Sequence, residues 1–461
     1  MSSEGDNRGE TRACWQDAGE KQPLSSVSTR QQHIAEMAKK YAGSPLTTLS
    51  HYIDKLWLRE AYGRVRRDSA PGVDGQTVAG YGENLEANLA SLETRAKDGT
   101  YRAPPAKRVH IPKNETETRP IGMPTVEDKV LERAVVMVLE PVYEQEFLDC
   151  SYGFRPGRSP HQALDALRSA IMKMRGGWVL DVDVRKYFDT IPKQRLREVL
   201  RQRIGDGVID RLIGKWLKAG VWEAGQVSYS ETGTPQGSVI SPLLSNVYLH
   251  EVLDLWFVQQ IKPQLQGQAE LFRFADDFVV ICEKREDAEA LLEQVKARFE
   301  SYGLEIHPEK TRIVDFRHPW ESTEPSQSFD FLGITHYWEK TRRGGFGVGR
   351  KTKGKKYQAA LGRIWDWCKE NRHRPIGEQH RDLSRQVLGH NAYYGISGNS
   401  RALGSFRHKV KEHWHYWLMH RSRATLAAER LWQQLEGFFR LPPARIVHRF
   451  GQPQLQWSLS P

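Results

Sequence analysis

The sequence predicts an α+β fold, with helices towards both ends of the chain and strands in its middle. Apolar residues recur at helical spacing in Gln31–Arg67 and again from Tyr357 onward. Between these regions, the apolar runs Trp178–Val184 and Leu271–Cys282 have the composition of buried strands. The 461 residues, 39% of them hydrophobic, are enough for two or three packed units of a folded protein.

The N-terminal half is predicted to be mostly helical. Residues 1–30 are polar and are expected to form a disordered tail. Two amphipathic helices are expected in Gln31–Arg67, and the turn residues of Ala70–Gly75 end them. Apolar spacing then predicts a long helix over Val126–Phe147.

The chain continues with the two strand runs and then returns to helix. A helix is predicted over Asp287–Ser301, followed by short strands around Leu304–Val314 and Phe329–Thr335. The Gly- and Lys-rich segment Arg342–Lys356 is interpreted as a linker or a basic hairpin, and a new helical unit begins near Tyr357.

Positive charge is concentrated in the C-terminal third. Residues 341–461 carry 23 Lys+Arg against 7 Asp+Glu, a net charge of +16, which leaves −5 for residues 1–340 out of the total of +11. Clustered basic charge is typical of a nucleic-acid partner, although a basic surface that only aids solubility is the alternative.

The cysteine spacing fits a reducing compartment. The four cysteines are far apart, so neither a zinc site nor a disulfide framework is predicted. The first residues are polar and lack an apolar signal core, and no apolar run reaches the length of a membrane span. A cytoplasmic location is therefore expected.

Three aspartates, Asp183, Asp276 and Asp277, lie in the apolar runs where strands are predicted. Converging carboxylates repel one another unless cations neutralise them, and hard oxygen ligands select Mg²⁺, for which Mn²⁺ can substitute. Two such ions can activate a 3′-hydroxyl and stabilise a leaving phosphate oxygen. The alternative is that each aspartate caps a turn or faces solvent in an edge strand.

Eight short blocks in a fixed order resemble those of group II intron reverse transcriptases. They are APGVDG at Ala70, RPIGMPTVEDK at Arg119, SYGFRPGRS at Ser151, DVRKYFD at Asp183, GTPQGSVISPLLSN at Gly233, FADD at Phe274, GLEIHPEKT at Gly303 and FLG at Phe331. The resemblance extends from about Thr47 to Leu441. It implies a right-hand polymerase fold, with fingers, a palm built on an antiparallel sheet, and a helical thumb.

The resemblance also implies roles for individual residues. It makes Asp183, Asp276 and Asp277 the catalytic, metal-binding carboxylates of the palm. It makes Lys113 and Arg119 the residues of the fingers that grip the incoming triphosphate, to which two cations are well suited. An ordinary surface pair of cations is the alternative for these two residues.

Four further substrate-binding residues follow from the same motifs. Phe188 corresponds to the bulky residue under the sugar, where its ring excludes a 2′-hydroxyl, unless it is an ordinary core aromatic. Gln236 and Gly237 are expected beside the templating pair, because glycine lets the backbone approach closely, unless they only form a turn. Lys310 is expected near the leaving pyrophosphate, and an exposed lysine beside a helix is the alternative.

Two residues depart from the family pattern. Phe274 stands where the family usually has Tyr, and Lys186 stands where it more often has Gly. Neither change removes a carboxylate, so activity is still expected.

The C-terminal region resembles the thumb and maturase region of the family, most clearly at NAYYG from Asn391. Aromatic residues alternate there with Arg and His, a mixture that suits RNA, and they include Trp365, Trp367, Tyr393, Tyr394, Trp414, Tyr416 and Trp417. Aromatics at helical spacing are often core residues, so RNA binding is assigned to the region and to no single ring. No Cys/His cluster follows, and a nuclease domain is not expected.

The resulting domain assignment places reverse transcriptase fingers and palm at residues 31–340, a thumb and RNA-binding maturase domain at 341–445, and a tail at 446–461. The expected function is RNA-directed DNA synthesis together with assistance to splicing of the host intron. Expected partners are intron or template RNA, a DNA primer or target, deoxynucleoside triphosphates and a second copy of the chain. The alternatives are a free-standing reverse transcriptase in DNA repair or phage defence, and a non-catalytic RNA-binding splicing factor.

Overall fold

A computed structural model of the chain describes residues 26–112, 118–230, 232–233, 237–321, 325–421 and 428–451. Its α-helices are α1 Val27–Lys40, α2 Lys55–Gly63, α3 Val78–Gly82, α4 Leu85–Asp98, α5 Val126–Tyr143, α6 Pro160–Met174, α7 Tyr187–Thr190, α8 Lys193–Arg203, α9 Gly207–Lys218, α10 Ser241–Leu249, α11 Arg285–Ser301, α12 Gly354–Asn371, α13 Ile376–Tyr394, α14 Ser400–Met419 and α15 Ala428–Gly437. Its strands are β1 Ala106–Pro112, β2 Thr118–Met123, β3 Trp178–Val182, β4 Val221–Glu223, β5 Gln226–Ser228, β6 Ala269–Phe274, β7 Asp277–Cys282, β8 Arg312–Asp315, β9 Phe329–Phe331, β10 Ile334–Lys340 and β11 Phe346–Thr352. The predicted α+β class is confirmed.

An antiparallel sheet in the order β6-β7-β3-β8 lies at the centre of the molecule. Successive side chains of a strand point to opposite faces. Leu180 of β3 packs in a core shared with α5, whereas Val179 packs in a second core shared with α6. Because both faces are covered, β3 is a nearly continuous apolar run.

The expectation of a single strand over Leu271–Cys282 is wrong. The run forms a hairpin, in which β6 and β7 are antiparallel neighbours and Phe274 pairs with Asp277. Ala275 has a φ of 58°, in the left-handed region, and so reverses the chain direction. The turn contains neither Gly nor Asn, the residues that usually mark this conformation, so the apolar composition concealed it.

The N-terminal half packs around α5, which confirms the long helix predicted from Val126. Thr125 caps the helix by accepting a hydrogen bond from the backbone NH of Asp128. Helices α1 and α2 pack against it, confirming the predicted pair, and the buried Trp57 donates its indole NH to the carbonyl of Ala134 at 2.9 Å. A second sheet, ordered β2-β1-β4-β5, extends from this half.

The basic hairpin, rather than the linker, is confirmed for Arg342–Lys356. Strands β10 and β11 pair from Ile334 with Thr352 to Lys340 with Phe346, and β9 completes a three-stranded sheet. The hairpin is anchored on α6, because the buried Arg350 forms an ion pair with Asp165 at 2.6 Å.

Helices α12 to α15 form a separate helical unit with its own apolar core. Trp414 lies fully buried in this core and donates its indole NH to Gln379 at 2.9 Å. The chain then returns across α13, where the backbone NH groups of Val447 and His448 both donate to the carbonyl of Gly395.

Candidate active site

The three predicted aspartates lie at one end of the central sheet. Strands β3 and β7 are antiparallel, with Val182 opposite Phe278. Asp183 directly follows Val182, and Asp277 directly precedes Phe278, so the register alone brings these two carboxylates to the same end. Asp276 occupies the adjoining turn between β6 and β7. The structure therefore brings the three residues together from two distant parts of the chain.

The segment before β8 fixes the backbone of Asp183. The NH of His307 donates to the Asp183 carbonyl at 2.8 Å, and the Asp183 NH donates to Thr311 Oγ1 at 3.4 Å. Val184 and Ile306 form an isolated β-bridge beside these bonds. With its backbone groups occupied, Asp183 presents its carboxylate to the neighbouring cleft.

Negative charge accumulates at this end of the sheet. Asp277 reaches solvent but is flanked by protein, and this partial burial, with the charges of Asp181, Asp276 and Asp183, raises its pKa to about 7. The pKa of Asp276 is also raised, chiefly by burial. Because these ionised carboxylates repel one another, the site favours the binding of a cation that compensates their charge.

Cationic side chains surround the carboxylates. The ammonium of Lys310 lies 3.1 Å from Asp183 Oδ2. Arg119, on β2, lines the same cleft as Asp276, and its positive charge opposes the rise in the pKa of Asp276. The site thus already attracts positive charge to its carboxylates.

A cleft of about 680 Å³ opens beside the sheet edge. Its walls bring together Arg119, Asp183, Phe188, Asp276 and Lys310. Phe188 is half-buried: its ring packs partly against the main core and partly lines this cleft. The structure therefore unites five of the residues that the sequence motifs singled out.

The remaining predicted residues are Gly237, Gln236 and Lys113. Gly237 has a φ of 104°, and a Cβ there would clash with the carbonyl oxygen of Gly122 in β2. Glycine at this position is therefore required by its own backbone and by the close approach of β2. Lys113 and Gln236 lie outside the described residues.

The two departures from the family pattern lie at the site: Lys186 lines the cleft, and Phe274 pairs with Asp277. Lys186 has a φ of 46°, in the left-handed region that favours glycine, which accounts for the glycine more usual there. Phe274 is half-buried, and its ring centre lies 6.2 Å from that of Phe154.

Sequence reasoning missed two charged residues of the site. Asp181 shares a face of β3 with Asp183, raises the pKa of Asp277, and accepts from Arg312 at 3.3 Å. Lys353 forms an ion pair with Asp330 at 3.2 Å, and its positive charge opposes part of the rise in the pKa of Asp277. The two-residue spacing in WVLDVDV signals Asp181, but the place of Lys353 depends on the hairpin fold.

The donor set suits a hard divalent cation. The three aspartates offer only carboxylate oxygens, the ligands that Mg²⁺ prefers, and their mutual repulsion needs positive charge. As they stand, no three His, Cys, Asp or Glu side chains in the described ranges are grouped closely enough to hold a metal ion. Asp183 is instead paired with Lys310.

The C-terminal aromatics divide between core and surface. Trp414 is a core residue, and Tyr393 donates to the carbonyl of Leu332 at 2.8 Å. Tyr416 is 43% exposed and lies beside Trp365 and Trp417, with ring centres 5.0 and 5.3 Å away. Lysine and arginine side chains flank the Trp417 ring.

A sheet with carboxylates at one end, between a mixed N-terminal unit and a C-terminal helical unit, defines a right-hand polymerase fold. Residues 111–336 match the family described as reverse transcriptase (RNA-dependent DNA polymerase), and this stretch contains the whole central sheet. The chain belongs to the reverse transcriptase family, in its group II intron branch.

Known relatives match the chain over different lengths. Protein YkfC of Escherichia coli (strain K12) is 34% identical over 322 residues, which cover 61% of this chain and 84% of YkfC. Group II intron-encoded protein LtrA of Lactococcus lactis subsp. cremoris is 40% identical over 202 residues, covering 44% of this chain and 33% of LtrA. Nuclear intron maturase 1, mitochondrial, of Arabidopsis thaliana is 32% identical over 95 residues, covering 21% and 13%. The match thus spans most of YkfC but only a third of LtrA.

Within the described residues, no helix is long and apolar enough to cross a bilayer.

Proposed function

We propose that the protein is an RNA-directed DNA polymerase whose active centre is the carboxylate end of the central sheet. The observation that carries the proposal is the convergence of Asp183, Asp276 and Asp277 beside a cleft lined by Arg119 and Lys310. Two Mg²⁺ ions held by the three carboxylates, or Mn²⁺ in their place, would activate the primer 3′-hydroxyl and stabilise the leaving phosphate oxygen.

The chain's own residues would bind and orient the substrates. Arg119, together with Lys113, would bind the triphosphate of the incoming deoxynucleotide, since guanidinium and ammonium groups are strong phosphate donors. The ammonium of Lys310, now on Asp183, would lie close enough to meet charge on the departing diphosphate. Phe188 would form the wall beneath the sugar, and Gln236 with Gly237 would lie near the templating pair.

Primer extension tests this function directly. Purified protein should extend a DNA primer on an RNA template in the presence of Mg²⁺ and deoxynucleoside triphosphates. Asp276→Ala should abolish extension, because it removes one of the proposed metal ligands. A variant that extends the primer as well as the native protein would refute the proposal.

We further propose that the C-terminal helical unit binds intron RNA and assists splicing. Support comes from its net charge, from the exposed aromatic and basic cluster around Tyr416, and from relatives named as intron-encoded proteins and maturases. The unbroken carboxylate set favours a catalytic protein over a purely RNA-binding splicing factor. A free-standing reverse transcriptase would have the same site, and intron RNA flanking the gene distinguishes the two.

A further inference from the structure

A fully buried ion pair lies directly behind the turn that carries Asp276 and Asp277. Arg273, the penultimate residue of β6, has no exposed surface, and neither has its partner Asp254. The guanidinium donates Nε to Asp254 Oδ1 at 2.7 Å and Nη2 to Asp254 Oδ2. Asp254 belongs to the π-helical segment His250–Leu255, which continues α10.

The third nitrogen of the guanidinium reaches the turn itself. Nη1 of Arg273 donates to the carbonyl oxygen of Ala275 at 3.0 Å and to Asn246 Oδ1 at 3.0 Å. Ala275 is the residue with φ of 58°, a conformation that an L-residue keeps only when its surroundings impose it. Arg273 therefore holds the carbonyl of the one strained residue between β6 and the two aspartates.

The segment from Cys150 to Gly153 also contacts the turn. Asn246 donates from Nδ2 to the carbonyl of Gly153 at 2.6 Å, and a Cβ on Gly153 would clash with the backbone nitrogen of Ala275. The backbone of Arg273 is bonded to the same segment, donating to Cys150 and accepting from Tyr152, both at 2.8 Å. The turn is thus fixed by side-chain and backbone bonds together.

Stability alone does not account for this arrangement. Burying two charges is costly, and a buried ion pair is commonly no more stabilising than apolar residues of the same volume. What the planar guanidinium adds is direction, because its donors are fixed in one plane and reach Asp254, Asn246 and Ala275 at once.

We propose that Arg273, with Asp254 and Asn246, is a positioning residue that imposes the turn conformation required for Asp276 and Asp277 to act with Asp183. The inference rests on the proposed polymerase function for its consequence, but the turn geometry is testable without it. Arg273 touches no substrate and acts only through the backbone of Ala275.

Arg273→Lys is the direct test, with Arg203→Lys as the matched control. Lysine keeps the charge but cannot reach all three partners. Arg203 is also a buried arginine, paired with Glu146 and bonded to the carbonyl of Ala38, but it lies in another part of the molecule. Asn246→Ala provides a milder variant that leaves the ion pair in place.

Two readouts decide the question. Hydrogen exchange should speed up at the amides of residues 274–278 in Arg273→Lys, and less so in Asn246→Ala, but should not change there in Arg203→Lys. In primer extension, Arg273→Lys should raise the Mg²⁺ concentration for half-maximal rate by about tenfold, as removal of outer-shell support typically does. Its affinity for primer–template should stay within about twofold, since Arg273 makes no bond to nucleic acid.

The outcomes separate the two proposals. Native exchange at residues 274–278 in both Arg273→Lys and Asn246→Ala overturns the positioning role. If Arg273→Lys does not fold, Asn246→Ala decides by the same measurement. An inactive native protein whose turn still loosens in these variants would refute the polymerase proposal and leave the positioning role standing.

Discussion

At the scale of single residues, Phe188 shows how one ring can face both core and substrate. Part of the ring packs on the main core, and part lines the cleft beside Asp183 and Lys310. A nucleotide in that cleft would place its sugar against a rigid apolar wall.

Phe188→Ala should therefore raise the incorporation of ribonucleotides relative to deoxyribonucleotides by at least about tenfold, because a single steric clash contributes about that much to selectivity. The ratio of kcat/KM for the two nucleotides measures the effect. An unchanged ratio, with reduced thermal stability, would assign the ring to the core alone.

Lys186 is another residue for which the structure predicts the effect of a substitution, because its backbone conformation limits which side chains fit there. It precedes α7, has φ of 46°, and accepts from the NH of Asp189 at 2.8 Å. A side chain in this conformation costs about 1 kcal/mol, and more when it is β-branched.

Lys186→Gly should change the free energy of unfolding by less than about 1 kcal/mol, since relief of strain offsets the greater freedom of the unfolded chain. Lys186→Val should destabilise the protein by about 1–2 kcal/mol. Urea denaturation of the two variants and the native protein provides the comparison. A valine variant as stable as the native protein would contradict this account of the turn.

At the scale of elements, a buried carboxylate joins α5 to the loop that leads into α10. Glu132 is 2% exposed and accepts from the NH of Val239 at 2.7 Å. Burial, and then the nearby charge of Asp128, raises its pKa to about 8. This shift favours the protonated form of the carboxyl group in the folded protein at neutral pH.

The buried carboxyl group of Glu132 should make the stability of the folded protein depend on pH. The folded pKa of Glu132 lies above the ordinary value of 4.5, so its contribution is complete below pH 4.5 and is lost as pH rises through 8. Glu132→Gln keeps a neutral acceptor for Val239, and its melting temperature relative to the native protein should rise between pH 5 and pH 8.5. A difference that stays constant across that range would show that Glu132 is ionised in the fold.

Elements with a clear period could be predicted from the sequence, and those defined by long-range partners could not. The spacing in α5 and α11 is helical, and the motif order located the three carboxylates. The β6–β7 hairpin was missed because Ala275 adopts the left-handed conformation, which the residue types of the turn do not predict. The partners of Arg273 were also missed, since a guanidinium and a carboxylate 19 residues apart show no relation in the sequence.

At the scale of the whole molecule, the two signs of charge meet at the β10–β11 hairpin. Residues 1–340 have a net charge of −5 and residues 341–461 a net charge of +16. Lys353, the first residue after β11, already pairs with Asp330 beside the carboxylates, whereas Lys355 and Lys356 are exposed at the start of α12.

Replacing Lys355 and Lys356 together by Ala should weaken binding of intron RNA and flatten its salt dependence, by about 0.7 in slope for each phosphate that is no longer neutralised. Polymerisation on a short template should change little. Lys284, which directly precedes α11, and Lys296 within it are exposed lysines of the N-terminal portion, and replacing them is the control. Equal effects of the two double variants would contradict RNA binding by the basic segment.

The central claim is that the carboxylate end of the sheet performs RNA-templated DNA synthesis. The most direct test is the rate of single deoxynucleotide addition to a DNA primer on an RNA template, measured with Mg²⁺ for Asp183→Asn and for Asp315→Asn. Asp315 pairs with Trp178 at the opposite end of the same sheet, so its replacement controls for damage to the fold. We predict that Asp183→Asn reduces the rate by at least about a thousandfold, as loss of a metal's electrostatic stabilisation would, while Asp315→Asn stays near the native rate. Equal rates for the two variants, or no addition by the native protein, would contradict the account.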